Sequence, residues 1–74
     1  MGRVLTAGTY RVYVYAEVGG RHHKPHCHVD WPDGSCVIGL ETLDLLGGDD
    51  DAQAFQIVRQ HWGQITAKWR ELNP

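Results

Sequence analysis

Seventy-four residues, 42% of them hydrophobic and 22% charged, with a formal net charge of −2, describe one small domain of ordinary soluble composition. A chain of this size buries only about 60% of its unfolded surface, so its stability margin is thin unless a metal, a partner or a second copy adds to it. The charge gives no clear nucleic-acid signature, since non-specific binding needs a basic face, and no apolar run of about 18 residues is present to span a membrane.

The acid is concentrated in Asp49, Asp50 and Asp51, and the remaining charge reads as mixed. The first eight residues lack the apolar core of a signal peptide, so a cytoplasmic location is expected, with both cysteines kept as thiols.

In chain order, the first predicted strand is Thr9 to Glu17. Tyr10, Val12, Val14 and Ala16 alternate with Arg11, Tyr13 and Tyr15, and β-branched and aromatic residues dominate. Gly19-Gly20 end that strand and open a loop. Pro25 holds Lys24 extended and leads into a second strand, His26 to Trp31. Pro32-Asp33-Gly34 is a turn signature, and a third strand, Ser35 to Leu40, completes a hairpin. Residues 41–46 are open between a short fourth strand and a turn. The hairpin sets Asp30 roughly opposite Cys36 and leaves Cys27 about three residues out of register. That offset is on the order of 10 Å, too far for a disulfide.

Phe55, Val58, Trp62, Ile65, Trp69 and Leu72 recur at intervals of three and four, the apolar stripe of one helix of about 22 residues. Asp50 is the expected N-cap, with Gln53 as its capping-box partner. Gly63 lies in the middle, where it bends the helix or permits close packing. The stripe reads as a core face, so truncating Trp62 or Trp69 is each expected to cost roughly 3–5 kcal/mol.

The run His22-His23-Lys24-Pro25-His26-Cys27-His28 places four of the five histidines in seven residues. Histidine is the commonest side-chain metal ligand and the one that titrates near neutral pH. On a strand, His26 and His28 leave the same face, close enough for both imidazoles to reach one ion. His22 supplies a third ligand from the loop, and Asp30 stands on the same face as a fourth or as a carboxylate that orients His28. Zinc or another divalent transition metal fits that ligand type, though no cofactor is required by the sequence. A metal-free reading uses His26 and His28 as base and acid on a phosphodiester, with Lys24 or Arg21 steadying the phosphate. A third reading leaves them as a half-buried polar face with no chemistry. His23 reads as an exposed loop residue, His61 as a boundary residue and Cys27 as core.

The aromatic strand Tyr10-Arg11-Val12-Tyr13-Val14-Tyr15, the stretch His22-x-x-Pro25-His26-x-His28-Val29 and the helix with Trp62, Ile65 and Trp69 together resemble a family. It is the small prokaryotic family called domain of unknown function 4160, and the resemblance runs from about Arg3 to Leu72. Lys24 stands where many members carry a first proline, Cys27 where they carry an aromatic residue, and Gly19-Gly20-Arg21 lengthens the loop. The resemblance implies no established activity. It implies a small protein partner encoded nearby, in pairs that look like toxin–antitoxin modules.

The expected architecture is one α+β domain, β-rich over 3–46 and helical over about 50–72. An antiparallel sheet of three to four strands packs on one long C-terminal helix. Val12, Val14, Val29, Val37, Phe55, Val58, Trp62, Ile65 and Trp69 are its expected core. Two functions follow from different classes: a partner-binding module using a sheet edge or the histidine loop, and a minimal hydrolase centred on His26 and His28. The thin core and the exposed strand edges are compatible with a homodimer.

Overall fold

The computed structural model describes residues 2–16 and 24–73. Among these, five strands form one antiparallel meander in chain order: β1 (Arg3–Ala7), β2 (Tyr10–Tyr13), β3 (His26–Trp31), β4 (Gly34–Gly39) and β5 (Leu45–Gly48). Two helices follow, α1 (Ala52–Gln60) and α2 (Trp62–Leu72). None of the helices in the described residues is long and apolar enough to cross a membrane.

The sheet buries one face. Val12, Val14, Cys27, Val29, Cys36 and Ile38 point inward and meet Ala54, Ile57, Val58, Ile65 and Trp69 of the helices. The alternation of buried and unburied residues along β3 is the period-2 pattern of a sheet covered on one side only. Val37, expected in the core, is the odd-numbered neighbour of Cys36 and Ile38 and lies on the uncovered face, paired with His28.

Five strands exceed the expected three to four. β1 joins β2 through Gly8-Thr9, with Gly8 at φ +62°, a backbone region open to glycine. The β1–β2 register shifts between Arg3 and Leu5, which hides the strand's alternation in the sequence. β5 emerges from the undecided segment: residues 40–42 turn, and Leu45–Gly48 pair with β4 across a second register shift. Gly48, at φ +84°, closes on Ser35 and Cys36 so tightly that a Cβ there would strike their backbone.

The hairpin of β3 and β4 turns through Pro32-Asp33 alone, with Trp31 opposite Gly34. Val29, not Asp30, therefore faces Cys36, and Cys27 faces Ile38. The two cysteines are diagonal neighbours, roughly 7–8 Å apart by that register rather than 10 Å. Both are free thiols in the core. Burial pushes the Cys27 thiol up to about 12 and the Cys36 thiol up to about 11.

The expected single helix is two. His61 departs from helical dihedrals (φ −111°, ψ 22°) and serves as C-cap of α1 and N-cap of α2. Gly63 is exposed, with nothing near its Cβ position, so it is not a packing glycine. The kink takes Trp62, the first residue of α2, out of the core: it is 41% exposed, while Trp69 is 6% exposed. Trp62 is instead tied by its indole, whose Nε1 donates to the Leu40 carbonyl at 2.6 Å. Phe55 is only partly buried against the core. The N-cap is Asp51 rather than Asp50. One of its oxygens accepts from the Gln53 and Ala54 amides at 2.8 and 3.2 Å, and the other accepts from the Tyr10 hydroxyl at 3.0 Å.

Two outcomes follow from this packing. Trp69→Ala empties a buried site and is expected to lower unfolding free energy by roughly 3–5 kcal/mol in urea titration. Trp62→Ala gives up mainly one hydrogen bond and partial contact, and is expected to cost about 0.5–2 kcal/mol. Equal losses in the two variants would contradict the kink. The thiols predict a pH effect. The unfolded cysteines release protons near 9.0, while the folded ones hold them to about 11 and 12, so the fold binds more protons through that window. Their contribution is fully present below about pH 9 and declines as pH rises above it. Melting temperature should fall from pH 8 to pH 11 less steeply in Cys27→Ala/Cys36→Ala than in the parent.

Candidate functional site

β3 builds the site. Its pleat sends Cys27 and Val29 inward and His26 and His28 to the uncovered face. The two imidazoles meet there, with ring centroids 5.3 Å apart and planes crossed at 70°. His28 sits in a row of cross-strand partners that runs Arg3, Tyr13, His28, Val37, Gly47 over all five strands.

The rings continue on both sides of the histidine pair. Tyr15 meets the edge of His28 at 5.1 Å, and Tyr13 stands parallel to Tyr15 at 6.1 Å. On the other side Trp69 of α2 reaches His26 at 5.1 Å. Tyr13, Tyr15, His28, His26 and Trp69 thus form one ladder of rings across the end of the sheet. Such edge-to-face and offset contacts hold aromatic rings in fixed orientations.

His26 is oriented further by the backbone. Its Nδ1 lies 2.8 Å from the Lys24 carbonyl oxygen, which can only accept. Nδ1 therefore carries a proton, and Nε2 is the basic nitrogen of the neutral ring. The Pro25 carbonyl accepts from the Leu40 amide at 2.8 Å, so the approach to β3 is itself pinned to the end of β4.

Of the four residues expected to gather around a metal, two come together, His26 and His28. Asp30 shares their face but belongs to the next row, where its cross-strand partners are Arg11 and Ser35. His22 lies outside the described residues, as do His23 and Arg21. Among the described residues no group of three or more histidine, cysteine and acidic side chains is placed to hold a metal ion. Lys24 is exposed beside the pair, and Cys27 is turned into the core as expected.

Sequence reasoning did not attach Tyr13, Tyr15 and Trp69 to the histidines. Alternation already set the two tyrosines opposite Val12 and Val14. The missing information was the register that pairs Tyr13 with His28, which no local signal supplies.

The chain belongs to the family described as a domain of unknown function, DUF4160, whose model matches residues 9–70. The matched span covers β2 to β5 and almost all of both helices, and β1 precedes it. No curated protein and no solved structure matches the chain.

The backbone bond to His26 predicts its tautomer. Long-range ¹H–¹⁵N correlation spectra above the titration of the ring should show a protonated Nδ1 and an unprotonated Nε2. An Nε2–H tautomer would mean that the Lys24 carbonyl does not orient the ring.

Proposed function

We propose that this member of the DUF4160 family is a binding module that presents its uncovered sheet face, centred on His26 and His28, to a small protein partner. The observation that supports the reading is the set of rings on that face, Tyr13, Tyr15, His28 and His26, backed by the buried Trp69. Tyr15 is 44% exposed, and Tyr13, His26 and His28 are half-buried with their rings in contact. Aromatic side chains held rigid at a surface give large contact area at low entropic cost, which is why they dominate protein interfaces. The family resemblance points to a partner encoded nearby, in a toxin–antitoxin-like pair, and β1 and β5 leave two further strand edges for contact.

The oriented pair also favours a second reading, a minimal hydrolase of a phosphodiester. His26, basic at Nε2, is the base; His28 is the acid; and Lys24 steadies the phosphate. In its metal-dependent form His22, His26, His28 and Asp30 hold zinc or another divalent transition metal.

Co-expression with the product of the adjacent gene tests the first reading. Native mass spectrometry is expected to give a heteromeric complex. Hydrogen exchange should slow on β2 and β3 when it forms, and Tyr13→Ala/His28→Ala should weaken it while circular dichroism at the assay temperature shows the variant still folded. Protection confined to the helices, or assembly of this chain only with itself, would overturn it. If instead His26→Ala and His28→Ala each abolish cleavage of a phosphodiester by the isolated chain, the second reading stands. Elemental analysis of untagged protein decides its metal-dependent form.

A further inference from the structure

The net charge of −2 conceals a sharp partition. Residues 25–58 hold seven carboxylates and no lysine or arginine, a formal −7; the rest of the chain holds seven cations and two carboxylates, a formal +5. The first group runs from Pro25 to Val58 within α1; the second includes Arg3 of β1, Arg11 of β2, Arg59 at the end of α1, and Lys68, Arg70 and Glu71 of α2. β1 and β2 thus carry two arginines, Arg3 and Arg11, and no carboxylate in a chain that is anionic as a whole. A local field of that kind steers anions irrespective of net charge.

A cavity of about 390 Å³ lies here, lined by Gly2, Arg3, Tyr13 and Tyr15. Its volume falls in the ordinary range for small-ligand sites, roughly 300–1,000 Å³. Tyr13 and Tyr15 stand with planes 1° apart, and the outer ring is the 44% exposed Tyr15. Arg3 is the cross-strand partner of Tyr13 on the same face. Gly2 closes the floor: its carbonyl accepts from the Val14 amide at 2.7 Å, and a Cβ on it would lie 2.8 Å from the Tyr15 ring. Gly2 and Arg3 precede the residues matched by the family model, so this cavity is built partly by the chain's own N-terminal strand.

We infer that the Gly2, Arg3, Tyr13 and Tyr15 cavity binds a nucleobase together with its phosphate, the base on Tyr15 and the phosphate at Arg3. Exposed tyrosine faces on an open sheet stack bases of any identity, and an adjacent arginine pairs with phosphate oxygens. An apolar peptide side chain would use the rings but leave the arginine without a counter-charge. A lone inorganic anion would use the arginine and not the rings. The inference shares Tyr13 and Tyr15 with the protein-partner reading but needs neither histidine and no second chain.

Fluorescence anisotropy with a labelled thymidine oligonucleotide of about ten residues, beside titration with a mononucleotide, tests it. The full chain is expected to bind, and Tyr15→Ala should weaken binding roughly 5- to 150-fold, the span for loss of one stacked base. Tyr15→Phe should restore it. Arg3→Ala should reduce the slope of log affinity against log salt by about 0.7, one phosphate of a single strand. Oligonucleotide bound more tightly than mononucleotide identifies a strand as the ligand, and equal affinity identifies the free nucleotide. No binding of either probe by folded protein, or Tyr15→Ala and Arg3→Ala binding as the parent does, overturns the proposal. Both positions lie outside the buried core, so circular dichroism of each variant should match the parent.

Discussion

Two short helices can cover one face of a five-stranded sheet and no more. At 1.5 Å per residue, α1 and α2 run roughly 14 and 16 Å, enough to roof the inner side once. That constraint sorts every strand residue by parity. On β3 it makes Cys27 and Val29 core and hands His26 and His28 to the uncovered side. A slip of one residue would bury two imidazoles and expose a thiol and a valine, so the same hydrophobic burial that stabilises the hairpin fixes the histidines in place. Burial of the thiols and display of the imidazoles are one event.

The roof is fastened at its ends and its middle. Asp51 caps α1 and also accepts from Tyr10 of β2, so the first turn of the helix is joined to the far side of the hairpin. The neighbouring Asp49 accepts from the Ser35 amide at 3.2 Å. At the kink, Trp62 bonds the Leu40 carbonyl where β4 ends. At the far end, the Asn73 side chain donates to the Tyr15 carbonyl at 3.1 Å. That last bond bears on function: it anchors α2 next to the backbone that carries the exposed Tyr15, while Trp69 one turn earlier reaches His26. The ladder of rings is therefore supported from behind by the helix as well as by the strands.

Parity and turn chemistry were legible in the sequence; register and curvature were not. Pro32-Asp33-Gly34 announced the β3–β4 hairpin, and alternation put His26 with His28 and Cys27 against them. The turn proved one residue tighter than Pro32 to Gly34, which moved Cys36 from Asp30 to Val29. β1 escaped, and β5 stayed open between a strand and a turn, because each pairs across a register shift that breaks its alternation and because Leu45-Leu46-Gly47-Gly48 has no pattern of its own. The kink at His61 escaped for the opposite reason. The stripe from Phe55 to Leu72 continues through it without a proline, so periodicity alone had no cause to divide the helix or to expel Trp62. Within the site, the residues close in sequence were found and Trp69, more than forty positions from His26, was not.

Net charge misleads in this chain because chain order and sheet order coincide. In a meander, neighbours in sequence are neighbours in space, so a run of acids such as residues 25–58 becomes one side of the molecule rather than being dispersed over it. A fold with crossovers would have interleaved the two groups and left a mixed surface. In sheet order the charge runs from Arg3 and Arg11 on β1 and β2, past Asp30 beside Arg11 on β3, to Asp44 and Asp49 flanking β5. β3, which carries the histidine pair, therefore lies between the strands that bear the arginines and the strand that Asp44 and Asp49 flank.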